Sequence, residues 1–464
     1  MKNFRFLLLF FFAALAAGLS SCIEDGFTTS PSDQPTFSVD TLDMGVIFTE
    51  QASTTHRFVV YNRASKGINI DRISLSGDNA RLFRLNVDGF SGTDFSNVEI
   101  RAKDSIFVLV ETTLPANDRT VPVEITARLD FLTNGVEQSV VLAATGRDVT
   151  RLRAVTVDTD TRLTAERPYQ IYDSLVVAEG ATLTVDPDAE LYFHDGAMMV
   201  VRGRLVAVGS PDHEITFAGD RTGFVAADIP FDLMSRQWTG IFFTPTSKGN
   251  RLDYCLVKNT WQGVTVDSSD LTMINTRLRN SGGYALETYH SAISAYGCEF
   301  AEAASGAVLL HGGSHLLDQC TLANYYLFSA LEGPILQFGH LDAESDDASG
   351  LPYLQARISN CIIYGNGKDI SHGDLTGTGV YLRRCLLKSK GTDDDNFISC
   401  IWDQDPLFYT VREDYVFDYR LREGSPAIGA ADPALNAPEA ATDRYGSQRG
   451  AVPDLGAYVY IPQQ

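Results

Sequence analysis

From about Thr36 to Arg147 the chain alternates apolar and polar residues in short runs. The clearest are Phe37–Leu42, His56–Asn62, Ile68–Ile73, Asp104–Val110, Ile125–Phe131 and Ser139–Gly146. A period of two sends one face of each run into a core and the other into water, which predicts strands. Ser76-Gly77-Asp78-Asn79 and Thr133-Asn134-Gly135 supply turns between them. Short strands punctuated in this way over about 110 residues predict a β-sandwich.

A second pattern begins near Val149. The stretch Leu175–Gly209 breaks into short apolar strands ending in Gly or Asp-Pro turns, with no hairpin signature between them. A phrase then recurs about every 22 residues, with a small side chain at a fixed place: Cys255, Thr276, Cys298 and Cys320. Cys361 and Cys385 continue the series after longer steps. That period is too short for paired helices and suits one coil of a parallel β-helix, whose coils stack about 4.8 Å apart. The acidic segment Asp342–Leu351 is expected to bulge from one coil as a loop.

Several segments resemble known families. The stretch from Thr36 to Arg147, most clearly Leu129–Gly146, is similar to the immunoglobulin-like modules of bacterial surface proteins. Leu175–Gly209 resembles the opening coils of right-handed parallel β-helices of the pectin-lyase-like superfamily. Asp405-Pro-Leu-Phe, Asp418–Gly429 and Asp454-Leu-Gly-Ala-Tyr resemble the C-terminal segment of exported bacterial β-helix proteins. The expected fold class is therefore all-β, an immunoglobulin-like β-sandwich followed by a right-handed parallel β-helix with a C-terminal cap. A solenoid must protect its last coil, and residues 401–464 are assigned to that cover. Asp443, Arg444, Arg449 and Asp454 either pair within it or form a solvated surface.

The first 21 residues read as an export signal: Lys2 and Arg5, then the apolar run Phe6–Leu19, too short for a comfortable membrane span. Leu19-Ser20-Ser21-Cys22 resembles a bacterial lipobox, which implies lipid on Cys22; the alternative is an ordinary secretion signal with a stray cysteine. Glu24 and Asp25 resemble an export tag for the outer face of the outer membrane. The expected domains are 1–21 signal, 22–35 tether, 36–148 sandwich, 149–400 β-helix and 401–464 cap. Six cysteines follow Cys22. The repeat position that most of them share favours a stack of buried, reduced thiols over disulfides, because parallel side chains suit the disulfide torsion poorly.

The 464 residues carry 37 basic and 59 acidic side chains, a net charge of −22, which would repel nucleic acid. No CxxC pair occurs, and His213, His315 and His372 show no metal-ligand spacing, so no metal or cofactor is assigned. The hydrolases of the resembled fold carry Asn-x-Asp, Asp-Asp and Gly-His-Gly in order. This chain offers Asp346-Asp347, Asp393-Asp394-Asp395 and Gly339-His340-Leu341, and that pattern fails. Counting by 22 instead places Asp267, Tyr289 and His311 on one stripe, with Ser268 and His290 beside it. An acid, a phenol and imidazoles there suit ligand contact or proton transfer, although water-facing corners also collect polar residues. Trp238, Trp261, Tyr325, Tyr326 and Phe328 are either a sugar-stacking platform or packing. The expected protein is a surface-exposed lipoprotein bound to the outer membrane through its lipid, presenting a β-helix to polysaccharide or another surface ligand. The alternatives are a polysaccharide lyase or hydrolase, and a structural envelope component.

Overall fold

A computed structural model describes residues 26–226, 229–342, 350–371 and 373–462. Residues 1–21, expected to be a signal, Cys22, Glu24, Asp25, Asp346, Asp347, most of the loop expected at Asp342–Leu351, and His372 lie outside the described residues. The chain is all-β and divides into two compact units, Met1–Arg147 and Asp148–Gln464.

The first unit has two sheets with one core between them. One sheet orders Phe27–Thr28, Gly67–Ser76, Val123–Thr133, Val136–Arg147 and Thr41–Phe48, with Asp94–Ile100 also on Gly67–Ser76. The other orders Pro35–Phe37, His56–Asn62, Ser105–Thr112, Phe83–Val87 and Phe90–Gly92. Phe58, Val60 and Val108 from one sheet meet Ile68, Leu129 and Phe131 from the other. Two expectations change here. Residues expected in a tether enter the unit: Phe27–Thr28 pairs with Gly67 and Ile68, and Asn134 Nδ2 donates to the Asp33 carbonyl at 2.8 Å. The run Phe37–Leu42 is split, because Pro35–Phe37 pairs with His56–Asn62 while Thr41–Phe48 runs parallel to Val136–Arg147 in the opposite sheet.

The second unit is a parallel β-helix. Its 26 strands form one continuous hydrogen-bonded set, which resolves into three ladders. The first ladder contains Cys255–Lys258, Arg277–Ser281, Glu299–Ala303, Thr321–Asn324, Ile362–Gly365 and Leu386–Leu387. The second contains Val264–Asp267, the first half of Tyr284–Tyr296, the first half of Gly306–Asp318 and Leu336–Gly339. The third contains Asp270–Ile274, the second halves of those two long strands, Gln355–Ser359 and Gly379–Arg383. Alternate side chains of each ladder fill the column, among them Phe217, Leu278, Phe300 and Leu322. Each fully buried side chain of this size contributes about 1.5–3 kcal/mol.

The repeated cysteine has a definite task at the corner between the third and first ladders. The residue before it is left-handed in each of seven coils: Tyr254, Asn275, Gly297, Gln319, Asn360, Arg384 and Ser399 have φ between 49° and 61°. The backbone turns sharply there, and the next side chain meets carbonyls of its own coil and of the preceding one. Cys320 Sγ lies 3.4 Å from the Asp318 carbonyl and 3.5 Å from Ala295 O of the preceding coil. Thr276 makes the same pair of contacts with Ile274 O and Leu252 O, at 3.2 and 2.8 Å. A small donor fits, whether thiol or hydroxyl. Cys255, Cys298, Cys320, Cys361, Cys385 and Cys400 are all free thiols, and the first five are buried.

The C-terminal segment runs back over coils that precede it in the chain. It lies along the flank of the first ladder and closes its outer face over several coils. Phe408, Tyr419, Leu421, Leu455 and Tyr458 pack on Ala301, Ala323, Ile362 and Leu386, whose side chains point outward. The strands Glu299–Ala303 and Thr321–Asn324 are consequently buried at every residue. Gly456 N donates to Asn360 O at 2.8 Å, and Ala457 N to Thr321 Oγ1 at 2.9 Å. Asp443 and Asp454 are buried acceptors for backbone N–H groups of this segment, and Arg444 reaches Glu214 at 2.5 Å. A solvated charged surface is therefore not what these residues form.

Beneath the segment, Arg279 bonds Glu299, Tyr458 donates to Glu299, and Tyr419 donates to Glu302. Burial alone would raise Glu299, but the Arg279 guanidinium holds its carboxyl below the usual range. Burial pushes Glu302 up to about 8, with the Glu299 charge adding to the rise and Arg279 opposing it. One Glu302 carboxyl oxygen has no hydrogen-bond partner among the described residues, which makes ionisation costly. The folded-state pKa lies above the ordinary value, so the contribution of neutral Glu302 is complete below about pH 4.5 and lost as pH rises toward 8. Thermal melts from about pH 5 to 8 should show stability falling, with Glu302→Gln removing more than about 1.4 kcal/mol of that fall. An identical slope in both proteins would count against a protonated Glu302.

Candidate functional site

Covering of the first ladder leaves the outer face of the second as the better place for a ligand. Strand alternation turns Val264, Val266, Leu286, Thr288, Val308 and Leu310 inward and leaves Thr265, Asp267, Glu287, Tyr289, Leu309 and His311 outward. The ladder pairs Asp267 with Tyr289, and Tyr289 with His311. The next partner of His311 is Gly339. Three of the four stripe residues expected from the sequence thus form one row, and His290 stands in the adjacent row at the turn.

Each of these side chains has local partners. Tyr289 Oη donates to Glu287 Oε1 at 2.6 Å, and Tyr284 Oη donates to Gln337 Oε1 at 2.5 Å. Burial, followed by the bond and charge of Glu287, pushes the Tyr289 phenol well above its ordinary range. It therefore acts as a proton-bearing donor and not as a base at neutral pH. Asp267 Oδ1 accepts from Ser268 Oγ at 2.9 Å. Beside the row, Lys248, Ser268, Asp270, His290, Ser314 and Tyr353 line a groove of about 470 Å³.

The structure adds His340 to this place. His290, His311 and His340 each offer a ring nitrogen, and the three nitrogens lie within 4.8 Å of one another. Nδ1 of His290 and Nδ1 of His340 are 3.4 Å apart, and His290 Nδ1 is 3.1 Å from the Pro352 carbonyl. The ring centroids are 5.4 Å apart for His290 and His311, 5.0 Å for His290 and His340, and 5.9 Å for His311 and His340. His340 is buried, and the other two imidazoles are half-buried. Sequence spacing assigned no metal here, whereas this cluster is a set of groups able to hold one.

Glycine makes the cluster sterically possible. Gly312 occupies the turn between His290 and His340, and a Cβ on it would lie 2.4 Å from His290 Nδ1 and 2.6 Å from Pro352 O. A Cβ on Gly339 would lie 2.4 Å from His311 Nδ1. The Gly312 turn is pinned from inside the column, where the buried His315 donates from Nε2 to the Gly312 carbonyl at 2.8 Å. Burial lowers His315 to about 4, so it stays neutral near pH 7. His340 escaped the counting because the chain makes an excursion between Asn324 and Leu336. Twenty-two residues after His311 stands Gly333, not the true ladder partner Gly339.

Other expected residues have structural tasks. Asp393 accepts from Ser399 N, Cys400 N and Trp402 Nε1, and Asp394 accepts from Asn396 N and Phe397 N. Trp238 is fully buried and stacks on Phe193 at 4.0 Å. Tyr326 is buried against Ser235, and Tyr325 packs beneath the C-terminal segment. Trp261 is exposed, with the Arg236 guanidinium 5.1 Å from its ring centroid. His213 pairs with Asp188, away from the cluster.

No protein-family model and no curated protein sequence matches the chain. Among solved structures, the chain is similar to the catalytic domain of a GH87 alpha-1,3-glucanase in complex with tetrasaccharides. The identity is 10% over 75% of this chain and 87% of that one, with a TM-score of 0.23. A complex of that catalytic domain with nigerose gives 8% identity over 75% and 87%, with a TM-score of 0.17. A family 123 glycoside hydrolase from Clostridium perfringens gives 10% identity and a TM-score of 0.17 over 24% of this chain. The chain spans about a quarter of that enzyme's length. Scores this low carry no argument about chemistry, which rests on the residues themselves.

Gly312→Ala should cost about 1–3 kcal/mol and displace the His290 ring, because it adds a clash to a backbone at φ 63°. Gly196→Ala, also at positive φ but with open space around its Cβ, should cost only about 1 kcal/mol. Denaturant melts of the two variants check the difference. Equal costs would mean that Gly312 makes no room for the imidazole.

Proposed function

We propose that this chain is a surface-exposed outer-membrane lipoprotein whose β-helix, of right-handed pectin-lyase-like type, binds carbohydrate on the outer face of its second ladder. An immunoglobulin-like sandwich stands between the lipid-bearing Cys22 and the solenoid along the chain. The anchor rests on the sequence Leu19-Ser20-Ser21-Cys22 after a short apolar run. The binding reading rests on one observation. The outer face of the second ladder aligns Glu287, Tyr289, His311, Tyr284 and Gln337 as half-exposed hydrogen-bonding and aromatic side chains on a rigid support. Polyhydroxylated ligands are recognised by such a mixture of fixed polar groups and ring faces.

Binding without cleavage is the first reading. The Tyr289 phenol retains its proton, and the Asp393 and Asp394 carboxylates are engaged by backbone N–H groups of their own turn. A polysaccharide lyase or hydrolase is the second reading, motivated by the Tyr289 and His311 rings, whose centroids are 5.6 Å apart. A phenol and an imidazole at that separation can serve one proton transfer.

A panel of polysaccharides, scored for retention and for released unsaturated or reducing ends, separates the two. Retention without release is expected. Tyr289→Phe and His311→Ala should each weaken retention by up to about tenfold, the worth of one hydrogen bond. Full retention by both variants would remove the ligand from this face, and product release would establish the enzymatic reading. For the anchor, Cys22→Ser should abolish labelling by radioactive palmitate and move the protein from the membrane to the soluble fraction. Continued labelling would exclude Cys22 as the lipid site.

A further inference from the structure

We propose that His290, His311 and His340 form a site for a divalent first-row transition ion, with zinc as its occupant. The three residues come from successive coils: His290 from Tyr284–Tyr296, His311 from Gly306–Asp318, and His340 from the turn after Leu336–Gly339. Nothing in their sequence spacing announces the cluster, and it does not depend on the carbohydrate reading.

Donor chemistry selects the class of ion. Three imidazole nitrogens suit zinc, copper, nickel or cobalt, whereas calcium and magnesium require oxygen ligands. Geometry agrees. Two ligands on a tetrahedral ion at about 2.0–2.1 Å stand about 3.4 Å apart, and Nδ1 of His290 and Nδ1 of His340 are separated by 3.4 Å. The full nitrogen set lies within 4.8 Å, a span that side-chain rotation can close. Gly312 and Gly339 supply the room, since a Cβ at either would strike an imidazole nitrogen. The Pro352 carbonyl lies 3.1 Å from the same His290 Nδ1, and the ion would replace that contact, because a ring nitrogen that binds a metal carries no proton to donate. Three protein ligands leave a fourth position for water or an oxygen of a bound ligand. His290 also lines the 470 Å³ groove, which gives that position access to solvent.

The ion would tie three coils together at the face that carries Tyr289. Binding to the folded state alone raises the melting temperature, which gives a readout independent of any activity. The test uses the full chain without a polyhistidine tag, stripped with chelator and titrated with cobalt and then zinc. One equivalent of cobalt should produce the visible bands of a tetrahedral complex, zinc should displace them, and zinc should raise the melting temperature. His311→Ala and His340→Ala should each weaken zinc binding by more than the roughly tenfold loss that an outer partner costs. His213→Ala should bind as the unaltered chain does. His340→Asn, close in size and able to hydrogen-bond, keeps the comparison valid where alanine disturbs folding. Absence of both the cobalt bands and the zinc-dependent melting shift in the unaltered chain would overturn the proposal. Unchanged affinity in folded His340→Asn together with His311→Ala would do the same.

Discussion

Stacking in register is the constraint on which the second unit depends. Each strand lies on the same strand of the preceding coil, so a residue's surroundings are set by its coil position more than by its sequence neighbours. The corner between the third and first ladders enforces this register. A left-handed residue turns the chain, and the small thiol or hydroxyl after it meets carbonyls of two coils at once. The cysteines are therefore conformational parts of the corner.

The C-terminal segment depends on that regularity. It lies against a ladder whose outward residues are small or apolar, Ala301, Ala323, Ile362 and Leu386, and it brings its own aromatics to cover them. Where the covered face carries charge, the charge is balanced. Arg279 bonds Glu299, and a tyrosine from the segment donates to each of Glu299 and Glu302. Such a buried set contributes more to fixing where the segment lies than to net stability, since desolvation consumes much of the attraction. With one ladder covered in this way, the outward row of the second ladder, Asp267, Tyr289 and His311, stays at least partly exposed.

On the second ladder, regular stacking becomes chemistry. A parallel ladder repeats its side chains at a fixed spacing, and so brings together groups that the sequence keeps far apart. Tyr289 and His311 become direct neighbours, and the turns beside them bring His290 and His340 to within hydrogen-bond range across a glycine. The proposed glycan contact and the proposed ion site are compatible, because the row would carry the first and the turns beside it the second.

The sequence by itself determined the period, the two-part all-β organisation and the adjacency of Asp267, Tyr289 and His311, because uninterrupted coils of nearly equal length make spacing equivalent to position. It also marked the corner, through the recurrent cysteine. Tertiary structure alone decided the rest. The excursion after Asn324 broke the equivalence of spacing and position, so His340 could not be placed by counting. The entry of Phe27–Thr28 into the first unit and the parallel pairing of Thr41–Phe48 depend on partners remote in sequence. The path of the C-terminal segment depends on an outer face whose apolar character belongs to no single strand. Alternation within a strand reports which residues avoid water, but what covers them is settled only when distant segments meet.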